Sequence, residues 1–110
     1  MNIQITALEG GERFYTIRSP NGPTIATSKK YKSIDSAIKA LRSTLKNIQR
    51  VAYNDDGLGF VIKAPNGAVV CESSIFYNEL ICIAAYEELV TYANADTVKT
   101  YTYKGEYKEL

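Results

Sequence analysis

Apolar and polar positions alternate over several short stretches of the chain, and in two longer stretches the period lengthens to three and four. Residues 14–19 and 59–64 carry the two-residue period of a strand with one buried face. An Asn-Gly pair follows each run, Asn21-Gly22 and Asn66-Gly67, and predicts a tight hairpin because both residue types tolerate positive φ. Residues 23–28 and 68–73 then return as the second hairpin strands. Pro23 has no backbone donor, which assigns it to the first residue of its strand or to an edge. Ser33 and Asn78 stand where a helix N-cap is expected, each with a side-chain oxygen for an orphan amide of the first turn. Behind Ser33, Ile34, Ala37, Ile38, Leu41, Leu45 and Ile48 form an amphipathic stripe, with Lys39, Arg42 and Lys46 on the solvent side. Residues 3–7 and 50–53 predict one more strand before each hairpin, and residues 97–103 a closing strand. Glu9-Gly10-Gly11-Glu12 and Asn54-Asp55-Asp56-Gly57 are the turns between.

The pattern is written twice. Tyr15-Thr16-Ile17-Arg18-Ser19-Pro20-Asn21-Gly22 aligns with Phe60-Val61-Ile62-Lys63-Ala64-Pro65-Asn66-Gly67, 45 positions on. The register continues without a gap through Ile25/Val70, Ser28/Ser73, Tyr31/Phe76, Ser33/Asn78, Ala37/Cys82, Leu41/Tyr86 and Leu45/Val90. The order β-β-β-α, β-β-β-α, β follows: repeat one over 1–48, repeat two over 49–94 and a closing strand over 97–104. One copy alone would spread its helix over too few strands. The expectation is a single α+β domain, 1–110, with one antiparallel sheet and two helices on one face.

These residues resemble the YegP-like family of uncharacterised bacterial and archaeal proteins. The resemblance rests on Phe14 through Gly22, then Ser28, Tyr31 and Ser33-Ile34-Asp35-Ser36-Ala37, and again on Phe60 through Asn78. It implies tandem β(3)-α-β units merged into one sheet, with the closing strands exchanged between halves. It brings no activity, since the family is itself of unknown function. Two features depart from the pattern: Gly59 stands where the first copy has Phe14, and the second helix is far more apolar than a solvated helix.

Composition narrows the chemistry. Histidine is absent, which removes the commonest general base and every Ser-His or Cys-His nucleophile. Cys71 and Cys82 are two small thiols without a CxxC spacing, so neither a zinc site nor a disulfide framework is expected. No phosphate-cradling loop or dinucleotide fingerprint occurs. The expectation is therefore not an enzyme, with no metal and no cofactor. No stretch is apolar for long enough to span a bilayer, and residues 1–5 lack a basic and an apolar leader segment, which makes the cytoplasm the expected compartment. Net charge is +1 overall but uneven: residues 1–55 carry nine Lys or Arg against four acids, and residues 56–110 carry four against eight.

Two surfaces are candidates for binding. Register with the first helix assigns Cys82, Ile83, Tyr86, Val90 and Ala93 to the sheet, and leaves Leu80, Ile81, Ala84, Ala85, Leu89 and Tyr92 over. A helix apolar all round is buried on more than one side. Either these residues meet the first helix, or Leu80, Ile81, Ala84, Ala85 and Tyr92 form an interface for another protein or a second copy of the chain. The alternative is a small nucleic-acid or nucleotide binding or sequestering protein. It would use Lys29, Lys30, Lys32, Lys39, Arg42 and Lys46 for phosphates, with Tyr101 and Tyr103 on an open sheet face for stacking.

Overall fold

The short alternating runs form strands β1 (Asn2–Ala7), β2 (Arg13–Arg18), β3 (Thr24–Ser28), β4 (Val51–Tyr53), β5 (Phe60–Lys63) and β6 (Val69–Ser73). The longer periods form helices α1 (Ile34–Lys46) and α2 (Glu79–Ala93), and the chain ends in β7 (Thr100–Tyr103) and β8 (Glu106–Glu109). The structure, a computed structural model, describes residues 1–20, 22–95 and 99–110. Asn21 of the first Asn-Gly pair, and residues 97 and 98 at the start of the expected closing strand, lie outside the described residues.

Among the described residues, eight strands make one sheet in the order β4-β5-β6-β3-β2-β1-β7-β8. Every neighbouring pair is antiparallel except β1 and β7, which run parallel with Ile5 beside Tyr103. The sheet is thus mixed where an antiparallel one was expected. The strand after α1 pairs with β5, and the strand after α2 crosses to β1 at the opposite end. An eighth strand also goes beyond the expectation. Lys104 (φ 51°) and Gly105 (φ 78°) both take left-handed backbone, the turn that lets β8 fold back on β7.

One face of the sheet carries the core. Ile3 faces Ile17 and Ile5 faces Tyr15 across β1 and β2, and all four are buried. Phe60, Ile62 and Cys71 continue this layer, and Leu41, Leu45 and Ile48 with Cys82, Ala85 and Leu89 cover it. Burying a leucine such as Leu41 or Leu89 stabilises the fold by roughly 1.5–3 kcal/mol. The other face is uncovered by either helix. One rung runs across it through all eight strands: Tyr107, Thr102, Gln4, Thr16, Thr27, Glu72, Val61 and Ala52.

Local bonds recur 45 residues apart. Ser28 Oγ accepts from Tyr15 N at 2.9 Å and donates to the Lys29 carbonyl; Ser73 Oγ accepts from Phe60 N at 2.8 Å and donates to the Ser74 carbonyl. The pairing register shifts between Ile17 and Arg18, and again between Ile62 and Lys63. Ser33 Oγ accepts from Ser36 N at 3.1 Å, and Asn78 Oδ1 accepts from Ile81 N at 2.9 Å, so both expected caps form.

A candidate protein-docking surface

α2 is held by aromatic rings. Tyr86 meets Phe60 edge-on at 5.4 Å between centroids and Tyr53 at 5.9 Å, while Phe76 stacks on Phe60 at 6.4 Å. The Tyr86 hydroxyl donates to the Ile48 carbonyl at 3.0 Å, tying α2 to the end of the first half. These contacts turn Cys82, Ala85, Leu89 and Ala93 inward, with Tyr86, Val90 and Tyr92 half-buried against the core.

This corrects two of the five expected interface residues. Ala85 is buried, and Tyr92 is half-buried on the core; burial raises its phenol above the ordinary range. The physical reason is Thr44. It occupies a buried position of α1 because its hydroxyl bonds the Tyr15 hydroxyl beneath the helix. The apolar stripe of α1 therefore omits one of its buried positions. The equivalent place in α2 is Leu89, opposite Phe60 rather than Tyr15, and the inward face of α2 turns accordingly.

Leu80, Ile81 and Ala84 do lie outward. Ile83, which register with α1 assigned to the sheet, instead turns outward with 40% of its surface exposed. Two residues ahead of the helix join this surface: Ile75, 69% exposed, and Tyr77, 90% exposed. The 45-residue register contained a signal for them. Lys30, Lys32, Asp35, Ser36 and Lys39 of the first half correspond to Ile75, Tyr77, Leu80, Ile81 and Ala84 of the second. The same solvent-facing positions are polar in one half and apolar in the other. Leu80, with 78% of its surface exposed, is more open than Ile81 or Ile83. Contiguous exposed apolar surface on a small protein marks a contact site more often than chance.

Acids surround this front. Glu79, Glu87 and Glu88 on α2, and Asp55 and Asp56 in the β4–β5 turn, are all exposed. Among the described residues the one ion pair is Lys108 with Glu106, so these five carboxylates stay free to meet incoming charge. Gly57 (φ 73°) brings the turn under α2: a Cβ there would lie 2.8 Å from Cγ of Glu79. Cys82, on the inward side, has its thiol raised by burial and then by Asp56 and Glu79.

The basic residues sit elsewhere. Lys29, Lys30 and Lys32 in the β3–α1 loop and Lys39, Arg42 and Lys46 on α1 are all exposed. Four of the six divide between two clefts. Lys29 and Lys39 border one of about 440 Å³ with Tyr31, Ser36, Ser43 and Val70. Arg42 and Lys46 border another of about 520 Å³ with Lys99, Glu109 and Leu110. Tyr101 and Tyr103 do not stand on the open face. Tyr101 is buried and Tyr103 packs against the core, because the β1–β7 register puts Tyr103 on the side of Ile5. The exposed aromatic near them is Tyr107.

Reactive chemistry is muted. Burial pushes the Cys71 thiol up to about 12, partly opposed by its hydrogen bond with Tyr15, so it carries almost no thiolate near neutrality. Among the described residues no three His, Cys, Asp or Glu side chains come together as a metal would require. Nor is any described helix long and apolar enough to cross a membrane.

No family model matches the chain. Over 75 residues it is 35% identical to the UPF0339 protein PA0329 of Pseudomonas aeruginosa, a match covering 63% of this chain and 68% of that protein. Two solution structures share its fold. The UPF0339 protein SO3888 from Shewanella oneidensis superposes with a TM-score of 0.75 at 16% identity, over 89% of this chain and 88% of that one. The protein of unknown function yegP from E. coli gives 0.71 at 21% identity, over 96% and 95%.

Proposed function

The chain belongs to the UPF0339 family, and we propose that it acts there as a non-catalytic protein-docking module in the cytoplasm. One observation carries this reading: at five solvent-facing positions the second half replaces the polar residues of the first with Ile75, Tyr77, Leu80, Ile81 and Ala84. An apolar centre inside an acidic rim fits a protein segment that presents apolar side chains flanked by Lys or Arg. The buried, unpaired thiols of Cys71 and Cys82 accord with a reducing compartment.

The test is a photo-crosslinking amino acid placed at Ala84, used in extract of the source cells, with the same group at Lys46 as reference. The expected result is a discrete protein adduct from position 84 that Leu80→Glu abolishes and position 46 does not give. Adducts identical at both positions, or none, would overturn the reading. If the adduct is a second copy of the chain, the front serves self-association.

A second reading rests on the exposed cations Lys29, Lys30, Lys32, Lys39, Arg42 and Lys46 of the first half, none of which is ion-paired among the described residues. As a phosphate-binding strip they would give affinity for single-stranded nucleic acid that falls steeply with salt. A gel-shift series across ionic strength separates this from docking.

A further inference from the structure

The two edges of the sheet differ. β8 is guarded by Glu106, Lys108 and Glu109, all exposed, and charged side chains of this kind discourage strand addition. β4 is Val51-Ala52-Tyr53, without a charge or a proline, and among the described residues its outer side has no neighbour in the sheet.

The bonds of β4 define which backbone groups are free. Lys63 N donates to the Arg50 carbonyl at 2.8 Å, and Asn54 N donates to the Gly59 carbonyl at 2.9 Å. Arg50 and Asn54 both turn toward β5, so by the alternation of an antiparallel ladder Ala52 does too. Val51 and Tyr53 therefore point their N–H and C=O groups to the open edge. We propose that β4 pairs antiparallel with β4 of a second copy, about a two-fold axis through Ala52, joining the two sheets edge to edge.

The register follows from the free groups. Val51 of one copy exchanges hydrogen bonds with Tyr53 of the other, and the symmetry repeats the exchange. Ala52 then faces Ala52 in a close, non-hydrogen-bonded pair, where a methyl side chain fits without conflict. The same register brings Arg50 beside Asn54 of the second copy and next in sequence to its Asp55. Arg50 and Asp55 are exposed, and among the described residues neither is ion-paired. This charge complementarity favours a second copy over an unrelated extended segment. Tyr53, 43% exposed and packed edge-on against Tyr86 of α2, would be covered. Glu87 of α2 stands near Tyr53 and opposes close approach. An edge of three residues makes a small contact, so the dimer is weak, with a Kd of about 100 µM.

Sedimentation equilibrium of the full chain from 10 µM to 1 mM tests the proposal. Val51→Pro removes an outward N–H that β5 does not use, and should abolish the dimer with the circular dichroism spectrum unchanged. Arg50→Asp should weaken it about tenfold, and Arg50→Asp with Asp55→Arg should restore it. Glu87→Gln should tighten it. Leu80→Glu should leave it intact, which separates this edge from the docking front. A monomer throughout the wild-type series, or Val51→Pro and Arg50→Asp chains that dimerise like wild type, would overturn it.

Discussion

Thr27 and Glu72 face each other across the central junction of β3 and β6, and they are 45 residues apart, the same offset that aligns the two halves of the sequence. Their neighbours obey the same rule crosswise: Ala26 faces Ser73 and Ser28 faces Cys71. The junction therefore pairs one edge with its own equivalent about a local two-fold axis, and Glu72 holds the central charge on the open face. Thr27→Lys places a cation directly opposite it. The expected outcome is a gain of about 0.5 kcal/mol at low salt that fades as salt rises, read from urea unfolding.

The hydroxyls of Tyr15 and Thr44 satisfy each other beneath α1. Thr44→Val would leave the Tyr15 hydroxyl with only the weak Cys71 thiol, and should cost about 1–2 kcal/mol. The double change Thr44→Val with Tyr15→Phe should recover most of that loss, because both polar groups go together. The second half already has this apolar form in Phe60 and Leu89. Thermal unfolding of the two single variants and the double variant measures the coupling.

Alkali should unfold the protein through its buried acids. Burial raises Cys71 from 9.0 to about 12, and burial followed by the nearby Cys71 lifts Tyr15 well above its ordinary 10.0. For a raised acid the native state keeps a proton that the unfolded chain releases. The stabilisation is whole below pH 9 and is lost as pH climbs toward 12, by about 1.4 kcal/mol per unit for each such group. Cys71→Ala should make the decline above pH 9 shallower, leaving the raised thiol of Cys82 there and Tyr15 above pH 10. Urea midpoints between pH 7 and 11 test this.

The turn of α2 about its axis makes opposite predictions for neighbouring positions. Leu80→Glu and Ile81→Glu alter exposed first-turn positions where the helix dipole welcomes an anion, and should change stability by less than about 0.5 kcal/mol. Ala85→Glu puts an unpaired carboxylate against Cys82 and Leu89 and should cost about 3 kcal/mol or more. Equal effects at 81 and 85 would mean that the helix sits as its apolar periodicity alone suggested.

Much of the fold was legible where one chemical signal dominates. Asn66-Gly67, the caps Ser33 and Asn78 and the alternation around Tyr15 and Phe60 each determine local backbone, and each stands where the sequence placed it. β8 was not legible because Glu106 to Glu109 lacks an apolar alternation and Lys104-Gly105 is a weak turn signal; its pairing depends on β7. The parallel β1–β7 contact was equally hidden, since nothing local encodes the direction of a strand that returns after a helix. For the docking front, Leu80, Ile81 and Ala84 followed from excess apolarity. Ala85 and Tyr92 did not, because Thr44 conceals a buried position in the helix used as reference. Ile75 and Tyr77 became visible only by asking what each solvent position of one half becomes in the other.

The parallel pair of β1 and β7 also bears on how the chain is made. β1 leaves the ribosome about 95 residues ahead of β7, so the outer edge of β1 stays bare until β7 has emerged. Ile5 and Tyr103 meet across 98 positions of chain, a closure that local hairpins and both helices must precede. Nascent chains stalled after α2 would present that bare edge to one another, which makes β7 and the polar β8 the guard against aggregation at birth.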